Sequence, residues 1–143
     1  MSNTQFAFMK KSAVPAVAAL QQSIDTLGFD LKLDTALDFF EDEGFSPCVF
    51  NGEPDIGFEL SSAPAADFLD DDEDFKQIAG ENDWCISMSW RGSMKDCASV
   101  MIVSSALAKD FGAVISYEGD PAEEVAEMLE GTRKIVEELQ SES

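Results

Sequence analysis

Residues 84–111 decide the fold, and they read WCISMSWRGSMKDCASVMIVSSALAKDF. The first seven alternate large apolar side chains with cysteine and serine, and the large ones are Trp84, Ile86, Met88 and Trp90. Successive side chains of a strand point to opposite faces of its sheet, so the large residues share one face. The alternation predicts a half-buried strand over 84–90, with its aromatic face turned inward.

A helix is predicted directly after this strand. Ser93 and Asp96 form a Ser-x-x-Asp pair, an acidic variant of the capping box that begins many helices. From Met94 onward apolar side chains fall on nearly every side of the helix, and Gly112 ends it. A helix that is apolar almost all round is buried, so we expect a buried helix near residues 94–111.

Further strands are predicted on the N-terminal side. Residues 4–9 alternate, residues 29–33 look like a second strand, and residues 45–60 have the pattern of a hairpin with an Asn-Gly turn. Pro47 lies inside the hairpin, which places its strand at an edge or at a bulge. Residues 35–43 fit a helix or a strand equally well.

Three more helices are predicted before residue 84. Ser12 is expected to cap the first, with Pro15 in its first turn and Gly28 at its C-terminal end. A short helix is expected over 64–69, and a second one is expected to end at Gly80. The residues that could cap the helix over 64–69 are Ser61 and Ser62. Two apolar side chains expected on the helix before Gly80 are Phe75 and Ile78.

The C-terminal part completes one α+β domain over residues 1–143. Residues 113–117 predict a strand, and Asp120-Pro121-Ala122-Glu123 is a strong helix start. Gly131 interrupts this last helix and indicates a kink or a close contact, while the tail after Leu139 is expected to fray. Strands scattered between helices favour a mixed or mostly antiparallel sheet packed by helices.

Charge is the most unusual property of the composition. The chain has 29 acidic and 9 basic residues, which gives a formal net charge of −20. Between Asp38 and Asp83 there are 15 acidic residues and one basic residue, Lys76. Such an excess indicates either a requirement for solubility or a cationic partner. Direct nucleic-acid binding is disfavoured, because phosphate contacts need clustered lysine and arginine.

Two acidic segments are the candidate partner-binding residues. The first comprises Asp67, Asp70, Asp71, Asp72, Glu73 and Asp74. The second comprises Glu41, Asp42 and Glu43. Each segment is interpreted either as a solvated loop or as a surface for a cationic site on another protein. Calcium binding is not expected, since the acids are consecutive and lack the glycine and spacing of an EF-hand loop.

The chain lacks the residues of common catalytic sites, so we expect no enzyme, cofactor or metal site. Histidine is absent, which removes the usual general base and the usual imidazole metal ligand. Cys48, Cys85 and Cys97 show no metal-ligand spacing and are predicted to be reduced thiols in the core. Because paired carboxylates are abundant, an acid-rich hydrolase remains an alternative.

Several short segments resemble those of small bacterial immunity proteins, which accompany interbacterial toxins such as type VI secretion effectors. They are Gly44–Cys48, Gly57–Glu59, Ser89–Arg91, Ser104–Ala108 and Gly112–Val114. The resemblance implies tight binding to a cognate toxin, often by occluding its active site with acidic residues. The two acidic segments are assigned to this role from their charge and not from the resemblance.

Other functions and locations follow from the same composition. A nucleic-acid mimic would place carboxylates along a surface that blocks a DNA-binding protein. Buried Met and Phe side chains could alternatively serve a homodimer interface. No signal peptide and no apolar run of about 20 residues are present, so we expect a cytoplasmic protein without membrane contact.

Overall fold

The computed structural model describes residues 3–69, 73–91, 93–118 and 124–141. In these ranges the strands are β1 Asn3–Met9, β2 Leu31–Leu33, β3 Gly44–Phe50, β4 Glu53–Pro64, β5 Trp84–Trp90 and β6 Val114–Tyr117. The helices are α1 Val17–Leu27, α2 Ala66–Leu69, α3 Glu73–Ala79, α4 Met94–Phe111 and α5 Val125–Ser141. A short 3-10 turn, Lys11–Ala13, precedes α1.

The strands form one antiparallel sheet in the order β2-β3-β4-β5-β1-β6. The predicted strand β5 lies inside the sheet, between β4 and β1, with Ile86 opposite Ala7. The 45–60 hairpin is confirmed as β3 and β4. Pro47 precedes the three residues of β3 that pair with β2, and an irregularity in register follows at Cys48–Phe50. The chain is therefore a single α+β domain, as expected.

The larger core lies between one face of the sheet and helices α1, α4 and α5. Helix α4 occupies its centre, because it contacts α1, α5 and the sheet. Ser93 caps α4 through its hydroxyl, which accepts a hydrogen bond from the Asp96 N–H, and Gly112 ends the helix in the left-handed conformation. The prediction of a buried helix near 94–111 is confirmed.

A smaller core lies on the opposite face, where α2 and α3 cover part of the sheet. Its buried members are Phe8, Ala65, Ala79 and Cys85. The prediction that β5 is half-buried is wrong, because Cys85 and Ser87 are also buried. Cys85 packs with Phe8, Ala65 and Ala79 in this smaller core instead of facing water.

The start of α1 differs from the prediction. Ser12 belongs to the 3-10 turn, and α1 begins only at Val17, without a side-chain cap. The physical reason is Pro15, which disfavours helical geometry in the residue before it. Val14 is accordingly extended, with φ −64° and ψ 121°. The predicted end is confirmed, since Gly28 has φ +89°.

Three other local predictions are corrected or settled. Ser61 and Ser62 pair with β5 as part of β4, so they cap no helix, and α2 begins only at Ala66. Residues 34–43 form turns and neither a helix nor a strand. The predicted helix ending at Gly80 is confirmed as α3.

Helix α5 continues through Gly131 without interruption. A β-carbon at this position would meet no atom within 4 Å, so the predicted close contact is absent there. The predicted helix start at 120–123 and the end of the tail at 142–143 lie outside the described residues. Within the described ranges, none of the helices combines the length and the apolar character needed to cross a membrane.

Candidate interaction surface

The acidic segment 41–43 lies in the turn that leads into β3, and its three residues are exposed. Carboxylates shape this turn: Asp42 accepts a hydrogen bond from the Asp38 N–H at 2.9 Å, and Asp38 accepts one from the Phe40 N–H at 2.8 Å. Phe39 is buried in the larger core. The acidic turn is therefore anchored to the face of the sheet that carries α4.

The described residues of the other acidic segment lie on the opposite face of the sheet. Asp67 is exposed on α2, and Glu73 and Asp74 are exposed at the start of α3. Glu73 pairs with Lys76 at 3.5 Å within α3. The predicted residues between the two helices, Asp70, Asp71 and Asp72, lie outside the described residues.

The described residues of both acidic segments lie at the same end of the sheet, although on opposite faces. Strand β3 begins at Gly44, directly after residues 41–43, and the antiparallel β4 ends at Pro64, just before α2. The two segments thus flank one end of the sheet from both sides. The β3–β4 hairpin, which the sequence predicted, brings the two segments to one end of the sheet.

Lysines of the chain itself occupy this acidic end. Lys10 donates through Nζ to the carbonyl oxygen of Glu81. The Nζ atom of Lys11 lies 4.7 Å from the ring centroid of Trp84 and 5.8 Å from that of Phe40. Both lysines therefore already have contacts within the fold.

Next to this end, part of the sheet surface is left uncovered. Helices α2 and α3 pack on β1, β6 and the end of β4. On β3, the side chains on the same face as α2 and α3 are exposed; they belong to Phe45, Pro47 and Val49. We call these residues and Gly57 the open sheet face. Phe45 is 52% exposed and Val49 is 37% exposed.

A shallow pocket of about 270 Å³ adjoins the open sheet face. Its wall includes three carboxylates, and Phe45 belongs to both the pocket and the open sheet face. The carboxylates are those of Asp34, Asp42 and Glu43. Asp42 and Glu43 belong to the predicted segment 41–43, whereas Asp34 and Phe45 were not predicted as site residues.

A second cavity, of about 480 Å³, lies at the other end of the β3–β4 hairpin. It is lined in part by Asp30 and Phe50, and an ion pair of 2.9 Å joins Lys95 to Glu53 at its wall. At this cavity the carboxylate of Glu53 therefore has a cationic partner, Lys95, within the chain.

The cysteine thiols are buried and held in the neutral form. Burial raises the pKa of Cys48 to about 12, and nearby Asp96 and Asp34 add to the shift. Burial alone raises the pKa of Cys85 to about 12 and also raises the pKa of Cys97. Since the thiolate is the reactive form, these thiols are poor nucleophiles at neutral pH. Across the described ranges, no three His, Cys, Asp or Glu side chains are grouped to hold a metal ion.

Comparisons with known proteins identify no relative. No protein-family model matches the chain, and neither the curated proteins nor the solved structures yield a match.

Proposed function

We propose that this protein is a cytoplasmic inhibitor of the immunity type, which neutralises a cognate protein toxin by covering a cationic site. One observation carries the proposal: exposed carboxylates flank one end of the sheet, while Lys10 and Lys11 at that end already have contacts within the fold. Further positive charge for this surface would come from another molecule.

The charge distribution supports such a partner. The segment from Asp38 to Asp83 contains 15 acidic residues and one basic residue. Ion pairs seen in this segment are Glu53–Lys95 and Glu73–Lys76. Complementary charge accelerates association with a cationic protein and rejects anionic ones. We therefore expect fast binding that weakens as salt is added.

The state of the thiols supports binding rather than catalysis. A cysteine nucleophile requires a thiolate, and the three buried thiols have raised pKa values. With no histidine in the sequence, the usual proton-transfer partner is also missing.

Co-expression with the product of the adjacent gene tests the proposal. If that product is toxic, the wild-type protein should restore growth and should co-elute with it as a complex. Glu41→Lys with Glu43→Lys should reduce protection, and so should Asp67→Lys with Glu73→Lys. Asp42 is kept because its carboxylate holds the turn.

A matched control changes the same total charge elsewhere. Glu127→Lys with Glu137→Lys lies on α5, where both side chains are exposed. This variant should protect as well as the wild type. An equal loss of protection in all three variants would mean that total charge alone determines protection. Full protection by both test variants would refute the proposal.

A further inference from the structure

We propose that the open sheet face is the docking surface for a protein segment that presents arginine or lysine beside apolar side chains. The adjoining pocket would receive one cationic side chain. This inference rests on the proposed function for its cationic partner, and it names the surface and the chemistry of the contact.

The exposure of apolar side chains is the first argument. Along β3, Ser46, Cys48 and Phe50 are buried, while the alternate side chains of the open sheet face are left to solvent. The same side of the sheet is covered by α2 and α3 over β1 and β6. Apolar side chains left together on one surface commonly mark an interaction site.

The shape of the surface is the second argument. The ring of Phe45 reaches across to Gly57 on β4, where a β-carbon would lie 3.1 Å from its Cζ atom. Because position 57 has no side chain, the ring can lie against the strand. An aromatic ring with one accessible face suits stacking by a guanidinium group or contact with an apolar side chain.

Charge selects the occupant. Glu59 lies directly opposite Phe45 in the β3–β4 register, on the same face, and it is exposed. On the other side of Phe45, Asp42 and Glu43 line the pocket. An apolar centre with carboxylates on two sides is complementary to a segment that alternates apolar and cationic side chains.

The same charge argues against a second copy of this chain. Each copy carries a formal charge of −20, so two open sheet faces would bring carboxylates against carboxylates. Phosphate groups of a nucleic acid would be repelled for the same reason. A cationic protein segment is the occupant that satisfies both the apolar and the acidic parts.

The test uses the whole protein labelled with ¹⁵N and a synthetic peptide of alternating arginine and leucine, in about 50 mM NaCl where screening is incomplete. The amide signals of residues 45, 46, 48, 49 and 57–59 should shift. A peptide of alternating arginine and serine should bind at least about tenfold more weakly, because it lacks the apolar contact.

Two variants with equal exposure separate the docking surface from general attraction. Phe45→Ser should weaken binding of the arginine–leucine peptide by about tenfold. Met94→Ser should not; Met94 is also 52% exposed but begins α4 on the other side of the sheet. Urea unfolding verifies that each variant is folded, and Val49→Ser replaces Phe45→Ser if that variant is not.

The outcomes distinguish the two proposals. Shifts confined to residues 66–69 and 73–79, with Phe45→Ser binding like the wild type, would overturn the docking surface and leave an electrostatic inhibitor. Equal binding of both peptides would do the same. If neither cationic peptide binds, both the docking surface and the cationic partner of the proposed function are overturned.

Discussion

The ring of Phe45 on β3 lies against Gly57 on β4, where the carbonyl oxygen of Ser46 leaves no room for a side chain. A β-carbon there would lie 2.1 Å from the carbonyl oxygen of Ser46 and 3.1 Å from Cζ of Phe45. The first of these atoms belongs to the backbone, so it cannot move without shifting the strand. Gly57 is therefore required by the approach of two strands.

Gly57→Ala should destabilise the fold. The added methyl group forces β3 and β4 apart, and overpacking of this kind costs about 1–3 kcal/mol. Urea unfolding followed by circular dichroism measures the loss.

Gly131→Ala is the matched control for that substitution. Gly131 lies within α5, where a β-carbon meets no atom within 4 Å. Alanine should stabilise the helix by about 0.5–1 kcal/mol, since glycine has the greater freedom in the unfolded chain. Opposite signs for the two variants are expected; a neutral Gly57→Ala would contradict the described packing of the hairpin.

Asp96 links the start of α4 to the sheet, and its removal should cost stability. Its carboxylate accepts a hydrogen bond from the Gly57 N–H at 3.0 Å, in addition to the cap that its own N–H forms with Ser93. Asp96→Ala leaves the Gly57 N–H without this acceptor, which costs about 1–3 kcal/mol. Denaturant titration measures this loss in the free energy of unfolding.

Asp96→Asn separates the hydrogen bond from the charge. Asparagine retains an oxygen that can accept from Gly57, so it should lose clearly less stability than alanine. Ser93→Ala should cost about 1 kcal/mol through loss of the cap alone. If asparagine and alanine proved equally damaging, the negative charge near the helix start and not the hydrogen bond would be the main contribution.

Sequence patterns predicted the fold where local signals agree with the tertiary structure. The alternation in 84–90 and the cap at Ser93 located β5 and α4. The same reasoning failed for the second face of β5: Cys85 was predicted as a core thiol, but the alternation with serine indicated a face open to solvent. Cys85 is buried in the smaller core with Ala65 and Ala79, beside α2 and α3, and that packing is not a local property.

The acidic segments were found by composition, but the open sheet face was not. In β3 both faces carry apolar residues, Phe45 and Val49 on one side and Cys48 and Phe50 on the other. Alternation therefore could not indicate which face was buried. The answer depends on α2 and α3 ending before they reach β3, which only the tertiary structure reveals.

Stability should fall at alkaline pH because the buried thiols resist ionisation. The folded pKa values of Cys48 and Cys85 are raised from 9.0 to about 12. Below pH 9 the thiols are neutral in both the folded and the unfolded chain, so their contribution to the free energy of unfolding is complete. As pH rises toward 12 this contribution is lost, because the unfolded chain releases its thiol protons first. The free energy of unfolding should therefore decline above pH 9.

Substitution of both residues provides the control. Cys48→Ala with Cys85→Ala should unfold more easily at pH 8 but should show a shallower decline above pH 9. In the wild type, a thiol reagent at pH 8 should react slowly when the protein is folded and rapidly in denaturant. Rapid reaction of the folded protein would contradict the burial of the thiols.

Lys11 should stabilise the acidic end through Trp84. The ammonium group lies over the indole ring, and the Lys11 backbone N–H donates to Asp83 at 2.8 Å. Lys11→Met keeps the backbone bond and removes the cation, at an expected cost of about 0.5–2 kcal/mol. In a Trp90→Phe background, the fluorescence of Trp84 should also change.

Lys134→Met is the control for the loss of one positive charge. Lys134 lies on α5 and pairs with Glu130 at 3.7 Å, with both side chains largely exposed. Such a pair contributes little, so the stability should change by less than about 0.5 kcal/mol. Similar losses in the two variants would mean that total charge, and not the ring contact, sets the effect.

Salt should stabilise the fold, because the carboxylates repel one another. The range of electrostatic repulsion shrinks from about 30 Å at 0.01 M salt to about 3 Å at 1 M. With a formal charge of −20, the melting temperature should rise steadily over this range. Differential scanning calorimetry in NaCl and in MgCl₂ of equal ionic strength distinguishes screening from specific binding. Similar rises in both salts are expected, whereas a much larger rise with Mg²⁺ at low concentration would indicate that some carboxylates bind a cation.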